Sequence, residues 1–435
     1  MRRPELPPSP YLVVGLARSG QAAALALRAR GERVIGLDSG HPAGVESLAG
    51  AGVELHVGEG DGGVPLVGRA TTIVKSPGVP ACAPVVQRAR SLEKCVMGEL
   101  ELAWRLLPNE FVAVTGTNGK TTTVELIGHI HRVAGLPVAV AGNVGTALSG
   151  LVGRLDQRVT IACEASSFQL EDAIDFAPEV AVLLNVAPDH LDRHGTLNAY
   201  TQAKLRIFAK QRAADVAVLP VGLDVGTISG AARRVRFGEG SDADLSLLDG
   251  VMRWQGQELL DARELGIPGR HNRENAMAAA AACLARGLDP AVVSEGLRTF
   301  PGVPHRLEAV AELAGVRYVN DSKATNVAST LVALEACASE AANVHLILGG
   351  LAKGQDFAPL AWAVERACRA VYLIGEDARM IGRALAGAGV PPHECETLER
   401  AVEQAAAVAH SGDVVLLSPA CASLDQFADY EARGD

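Results

Sequence analysis

The densest chemistry in the sequence lies between Thr115 and Thr123, which read Thr-Gly-Thr-Asn-Gly-Lys-Thr-Thr-Thr. Glycines let a loop wrap phosphate oxygens with its backbone N–H groups. A lysine adds a mobile positive charge, and the hydroxyl after it suits Mg²⁺. Gly116, Thr117, Asn118, Gly119, Lys120, Thr121 and Thr122 supply these parts here. The spacing Gly-x-x-Gly-Lys-Thr is two residues shorter than the general GxxxxGK[ST] phosphate loop. It sits between an apolar strand, Phe111–Val114, and a helical run, Val124–Val133. That placement favours the phosphates of a nucleoside triphosphate over a structural glycine turn.

Two further strand ends carry polar groups. Val159–Cys163 runs into Glu164 and then Ala165-Ser166-Ser167-Phe168-Gln169-Leu170, and Val180–Asn185 runs toward Asp189 and His190. Ligands of open α/β sheets gather at the carboxyl ends of strands. Glu164 and His190 are therefore expected near the phosphate loop, where Mg²⁺ needs oxygen ligands and support. Taken singly, Glu164 reads equally as a helix-start carboxylate, and His190 as a capping or core histidine.

A second strand-turn-helix opens the chain. Gly15-Leu16-Ala17-Arg18-Ser19-Gly20 joins the strand Tyr11–Gly15 to a helix predicted over Gln21–Arg30. It keeps the first and last glycines of the dinucleotide fingerprint, but Ala17 stands where a pyrophosphate needs close backbone approach. That argues against a NAD-dependent dehydrogenase. Asp38, at the end of Arg33–Leu37, either meets ribose hydroxyls or begins a solvated turn with Ser39 and Gly40. The loop Lys75–Pro80, holding Ser76 and Gly78, either adds backbone groups to the same crevice or is a rigid turn.

These residues need rigid elements beneath them. Short Val/Leu/Ile runs alternate with Ala-rich helical stretches through almost all 435 residues. Runs apolar throughout suit strands buried on both faces of a parallel sheet, and the alternation predicts α/β architecture. The length fits about three domains. The strand-loop-helix pattern restarts near Phe111 and Val316, with Pro301 and Pro304 breaking helical continuity. The expected division is 1–102, 103–302 and 303–435.

Composition sets limits on function. Hydrophobic residues at 48% and charged residues at 21% exclude wholesale disorder, and aromatics at 4% leave the cores to Ala, Val and Leu. A net charge of −10 argues against nucleic acid as a partner, without opposing a locally bound anion. Eight cysteines lie singly with no CxxC pair, so reduced structural thiols are expected. Neither a signal peptide nor a membrane span is legible, which makes the cytoplasm the expected setting. A monomer is expected.

In order along the chain, the phosphate loop, Glu164–Leu170 and Asn185–His194 resemble the Mur ligases. Gly269–Asn275, Pro304–Glu308, Asn320–Asn326, Leu348–Gly350 and Leu417–Phe427 extend the likeness. Ser-Ser-Phe-Gln-Leu-Glu and Asp-Ser-Lys-Ala-Thr-Asn are similar to the branch that adds D-glutamate to UDP-N-acetylmuramoyl-L-alanine. The resemblance covers nearly the whole chain. It implies a Rossmann-like N-terminal domain, a central P-loop-type mononucleotide-binding domain and a C-terminal Rossmann-like α/β domain. It also implies ATP and Mg²⁺, phosphorylation of the substrate carboxylate, and attack on that acyl phosphate by the glutamate amine. Two related activities stay open: addition of L-glutamate to the same nucleotide, and folylpolyglutamate synthase-like ligation.

The resemblance also implies roles. Lys120 and its loop hold ATP phosphates, and Thr121 and Glu164 sit by Mg²⁺. His190 and Lys204, the latter carbamylated, support a second Mg²⁺. Without the family, Lys204 reads as a solvated helix lysine. Asn275, Arg306 and Asp321 fall at ATP-binding positions. On residues alone, Asn275 is an N-cap of the helix Ala276–Ala285 and Arg306 a hinge ion pair. Lys323, Thr325, Lys353, Ser423, Leu424 and Tyr430 fall around incoming glutamate, whose two carboxylates suit a basic pair with hydroxyls. Asn143 falls at a muramoyl contact, or is a turn Asn. Ser19, Asp38, Ser76 and Gly78 fall to the UDP end. The sequence departs from the family at Gly40, where a basic residue is usual, and at Arg18, where an apolar one is expected.

Overall fold

The computed structural model describes residues 3–58, 60–339, 341–352 and 354–435. One sheet lies in each third of the chain. The first holds β1 (Tyr11–Val14), β2 (Val34–Asp38), β3 (Glu54–Val57), β4 (Thr72–Lys75) and β5 (Cys95–Gly98). Its order is β3-β2-β1-β4-β5, parallel throughout. All four residues of β1 are buried. Tyr11 and Val13 enter one core and Leu12 and Val14 the other. This is the two-faced burial expected of an uninterrupted apolar run.

The second sheet holds β6 (Phe111–Thr115), β7 (Val138–Gly142), β8 (Thr160–Glu164), β9 (Val180–Leu183), β10 (Val216–Pro220), β11 (Arg233–Glu239), β12 (Leu245–Leu248), β13 (Val251–Trp254) and β14 (Gln257–Asp261). Its order is β14-β13-β12-β11-β10-β9-β6-β8-β7. The strands from β7 to β12 run parallel, and β13 and β14 are antiparallel additions at the edge. Asp249-Gly250 turns β12 into β13, both with positive φ, as a two-residue hairpin requires.

The third sheet holds β15 (Glu308–Leu313), β16 (Val316–Asn320), β17 (Val344–Gly349), β18 (Cys368–Ile374), β19 (Pro392–Glu396) and β20 (Val414–Leu417). Its order is β15-β16-β20-β17-β18-β19, and only the β15–β16 pair is antiparallel. The chain forms two compact units. One runs to Pro268 and includes Asn272–Phe300, and the other combines Gly269–His271 with Pro301–Asp435.

Three local expectations change. The first helix spans Arg18–Ala29, so Ser19 is helical rather than in a turn. The helix after the phosphate loop starts at Lys120. The Ala-rich helix spans Arg270–Ala285, so Asn275 lies inside it and is not an N-cap. Its buried face continues through Asn272 and Asn275, polar residues that hide the periodic signal. Six of the eight cysteines are buried, Cys95 is half-buried and Cys82 is exposed. Among the described residues, no helix is long and apolar enough to cross a membrane.

Candidate active site

The phosphate loop leaves β6 and enters the helix Lys120–Val133, whose first N–H groups present the positive end of a helix dipole. Gly119 caps that helix with φ +86°, and a Cβ there would overlap Asn275 Oδ1. Only glycine suits both demands. Lys120 Nζ folds back to the carbonyl oxygens of Gly116 (3.0 Å) and Thr117 (2.9 Å).

The loop is held by Asn185, which carries no role in the sequence analysis. Asn185 Oδ1 accepts from the N–H groups of Thr117 (3.1 Å) and Asn118 (2.9 Å), while its Nδ2 donates to Asn118 O (3.2 Å). The Thr117 hydroxyl accepts from Ala187 N (3.0 Å). The segment after β9 therefore shapes the loop after β6. The available signal was an amide at a strand end, ahead of Asp189 and His190.

Glu164 is buried at the end of β8. Its Oε2 accepts from the Thr121 hydroxyl at 2.7 Å and its Oε1 from Asn143 Nδ2 at 3.0 Å. Thr121, Glu164 and Asn143 thus meet, and Asn143 is tied to the carboxylate. Among the described residues, no group of three or more His, Cys, Asp and Glu side chains is arranged to hold a metal. A hydroxyl beside a buried carboxylate fits Mg²⁺, which takes few protein ligands and completes its shell with phosphates and water.

Lys204, in the helix Leu197–Leu205, is 1% exposed. This overturns its reading as a solvated helix lysine. Its Nζ donates to Gly116 O at 2.7 Å and stands 4.3 Å from the centre of the Tyr200 ring. Burial, and then the charge of Lys120, push its pKa down to about 6, against the pull of Asp189 and Glu164. His190 adopts φ +51° and packs against Phe168, ring centres 4.8 Å apart. Phe168 also stacks on His194 at 5.5 Å, and His194 packs on Tyr200 at 5.2 Å. Thr122 is buried, and its hydroxyl has no hydrogen-bond partner among the described atoms.

In the first sheet, Asp38 Oδ2 accepts from Leu16 N at 2.6 Å and Oδ1 from Gly40 N at 2.8 Å. It begins a turn and also ties that turn to the first loop. A cavity of about 550 Å³ opens at the carboxyl ends of β1, β2 and β4, with Gly15, Asp38, Ser39 and Gly78 among its lining. Ser19 and Ser76 are not among the described residues that line it. Ser76 instead braces the turn from behind, its hydroxyl donating to Gly15 O at 2.7 Å.

In the second unit, Asp321 is buried just after β16 and accepts from the Ser418 hydroxyl (2.9 Å) and Leu307 N (3.2 Å). Burial pushes its carboxyl up to about 6, although Arg306 pulls the other way. The buried Arg306 Nε has no hydrogen-bond partner among the described atoms. Lys323 Nζ donates to the Tyr430 hydroxyl at 3.2 Å and lies 5.0 Å from its ring centre. Thr325 N donates to Lys323 O at 3.0 Å, Ser423 is buried, and Leu424 is exposed. Lys353 lies outside the described residues. Arg433, which the sequence reading passed over, is buried and donates to Ser322 Oγ (3.0 Å), Ser322 O (2.8 Å) and Cys421 O (3.1 Å). It fixes the residue between Asp321 and Lys323.

Comparison with known proteins bears on this arrangement. Residues 114–283 match the Mur ligase middle domain, and residues 305–421 match the Mur ligase glutamate ligase domain. A protein of Pelotomaculum thermopropionicum named UDP-N-acetylmuramoylalanine–D-glutamate ligase is 42% identical, covering 98% of this chain and 95% of its own. One of the same name from Anaeromyxobacter dehalogenans is 43% identical, covering 100% and 98%. The crystal structure of the UDP-N-acetylmuramate–alanine ligase of Thermotoga maritima shares the fold. Its TM-score is 0.60 at 22% identity, over 94% of this chain and 95% of that one. On the family models and on relatives matched along nearly their whole length, the chain belongs to the Mur ligase family.

Proposed function

We propose that this chain is an ATP-dependent amide ligase of peptidoglycan precursor synthesis. It joins D-glutamate to the alanyl carboxylate of UDP-N-acetylmuramoyl-L-alanine and releases ADP and phosphate. The observation that carries the reading is the meeting of Lys120, Thr121, Glu164 and Lys204 around one phosphate-type loop. The family membership stands behind it. The relatives named above carry the D-glutamate name, which gives no support to an L-glutamate or folate-type alternative.

A carboxylate is a poor electrophile, and transfer of a phosphoryl group turns one of its oxygens into part of a leaving group. The site must bring two anions together, so cationic groups and oriented N–H groups are needed where charge builds up. Lys120 and the N–H groups of Gly116–Thr122 serve the ATP phosphates. Thr121 and Glu164 would hold Mg²⁺, with His190 and carbamylated Lys204 at a second ion, and Mg²⁺ when bound offsets the repulsion between the anions.

The depressed pKa of Lys204 supports its part. A neutral amine adds CO₂ and loses a proton, leaving a carbamate. The product replaces a neutral amine near Lys120 by an anion. Asn143 serves the muramoyl part, and Ser19, Asp38, Ser76 and Gly78 the UDP end. Asn275, Arg306 and Asp321 serve ATP. Lys323, Thr325, Lys353, Ser423, Leu424 and Tyr430 serve glutamate. In this reading the working parts are residues 1–102, 103–302 and 303–435, acting as a monomer in the cytoplasm.

The test is phosphate release with ATP, Mg²⁺, the muramoyl nucleotide and D-glutamate, omitting each in turn. Release should need all four. Release indifferent to the muramoyl nucleotide would overturn the reading.

A further inference from the structure

The side chain of Arg193 connects two places that the proposed reaction uses separately. Its Nη1 donates to Pro77 O at 2.8 Å, and its Nη2 lies 3.3 Å from Val79 O and 3.2 Å from Glu171 Oε2. Its guanidinium lies 4.1 Å from the centre of the Phe168 ring. The acceptors Pro77 and Val79 belong to the loop after β4, and Gly78, Val79 and Pro80 of that loop line the first-sheet cavity. On the other side, Arg193 N donates to His190 O at 3.1 Å within the single turn Leu191–His194. His190, Arg193 and His194 all touch the same Phe168 ring.

Lys75 constrains the same loop. Lys75 Nζ donates to Val79 O at 2.8 Å and pairs with Asp172 at 2.6 Å, both side chains buried. Val79 O is therefore shared by Lys75 and Arg193. A planar guanidinium with several fixed donors suits this task, because it can hold two carbonyls, a carboxylate and a ring face together. A shift of the loop by a ligand in the cavity must move Arg193 or break these bonds. A shift of Arg193 is passed toward His190 through the Arg193 N–His190 O bond and the shared Phe168 ring.

We infer that Arg193 is a positioning residue that couples occupancy of the first-sheet cavity by a uridine nucleotide to the placement of His190. The inference rests on the ligase reading above. A misplacement of about 1 Å in a reacting group costs on the order of 100-fold in rate. The role should therefore appear in turnover more than in grip on the nucleotide.

The experiment compares Arg193→Ala, Arg193→Lys and wild type. It measures kcat and KM for UDP-N-acetylmuramoyl-L-alanine by phosphate release, and the affinity for UDP by calorimetry without ATP. For Arg193→Ala, kcat should fall about 10- to 100-fold, with KM and UDP affinity within about threefold of wild type. Arg193→Lys should recover part of the loss, since one ammonium reaches one carbonyl, and added methylguanidine should restore part of kcat in Arg193→Ala. If Arg193→Ala fails to fold, Glu171→Gln carries the test, with a smaller fall in kcat and the same unchanged KM. A kcat within twofold of wild type, or a loss confined to KM and UDP affinity, would overturn the coupling role alone. Absence of turnover by wild type on this nucleotide would overturn the ligase reading and the coupling with it.

Discussion

Lys120 and Lys204 donate to the same atom, the carbonyl oxygen of Gly116, at 3.0 and 2.7 Å. Two ammonium groups so close, one of them buried, cannot share a proton inventory freely. Lys204 gives way, with a pKa near 6, and is mostly neutral at pH 7.5. A neutral buried amine beside a phosphate-type loop is poised to add CO₂. Lys204→Ala should lose nearly all turnover while keeping its fold, and a short-chain carboxylic acid should restore part of it. Steady-state phosphate release with and without acetate or propionate checks this. A folded variant that no carboxylic acid rescues would contradict the carbamate.

The same residue has a signature in stability. Its folded pKa, about 6, lies below the ordinary lysine value of 10.5. Between those values the unfolded chain holds the proton and the folded chain does not, so stability rises with pH across the window. The contribution is full above the unfolded value and is lost as pH falls toward 6. Lys204→Met removes the titrating group and keeps most of the packing. In CO₂-free buffer its Tm should exceed that of wild type by about 2 °C or more near pH 7. That gap should shrink as the pH approaches 10. A gap independent of pH would show that the amine is solvated.

Gly119 offers a sharper test of the phosphate loop. Its φ of +86° and the proximity of Asn275 Oδ1 leave no room for a Cβ. Gly119→Ala should raise KM for ATP or lower kcat by at least about tenfold, since it displaces the N–H groups of the loop. UDP affinity should stay unchanged, because the first-sheet cavity is built from other elements. Parallel losses of ATP and UDP affinity would mean that the substitution unfolds the unit.

Much of this was legible because the elements are regular. β1, β6 and β10 are uninterrupted apolar runs that give way to Gly15, Thr115 and Pro220. Their fold class follows from that alone. The strands β11–β14 were harder, since β11 alternates arginines with buried Val235 and Phe237, a pattern buried on one face and lacking a continuous apolar run. The Asp249-Gly250 turn was the available cue. The N-cap reading of Asn275 failed because polar residues before the Ala run look like a helix start. Asn272 and Asn275 are instead buried inside the helix. Lys204 could not be placed from its own neighbours, since its burial depends on Gly116, 88 positions away. Asn185 and Arg433 were missed for a related reason: each works by binding backbone atoms of a distant segment, and backbone partners leave no mark in sequence.

Asp321 should behave in the opposite sense to Lys204. Its folded pKa, about 6, lies above the ordinary aspartate value of 3.8. The folded chain therefore holds the proton longer than the unfolded chain. The stability this contributes is full below about pH 3.8 and is lost as pH rises through 6. Asp321→Asn should raise Tm at pH 8, and the gain should fade toward pH 4. Turnover should fall at every pH if the ionised group serves ATP. Thermal melts at four pH values, beside kcat at pH 8, read both effects. A constant gain would contradict the buried, raised carboxyl.

The most direct test of the ligase assignment is the mass of the product. The protein is incubated with ATP, Mg²⁺ and UDP-N-acetylmuramoyl-L-alanine, and with either D- or L-glutamate, and the nucleotide is weighed by mass spectrometry. A nucleotide heavier by one glutamyl residue, formed with D-glutamate and not with L-glutamate, is the expected result. An unchanged nucleotide with both, or a product formed only with L-glutamate, would contradict it.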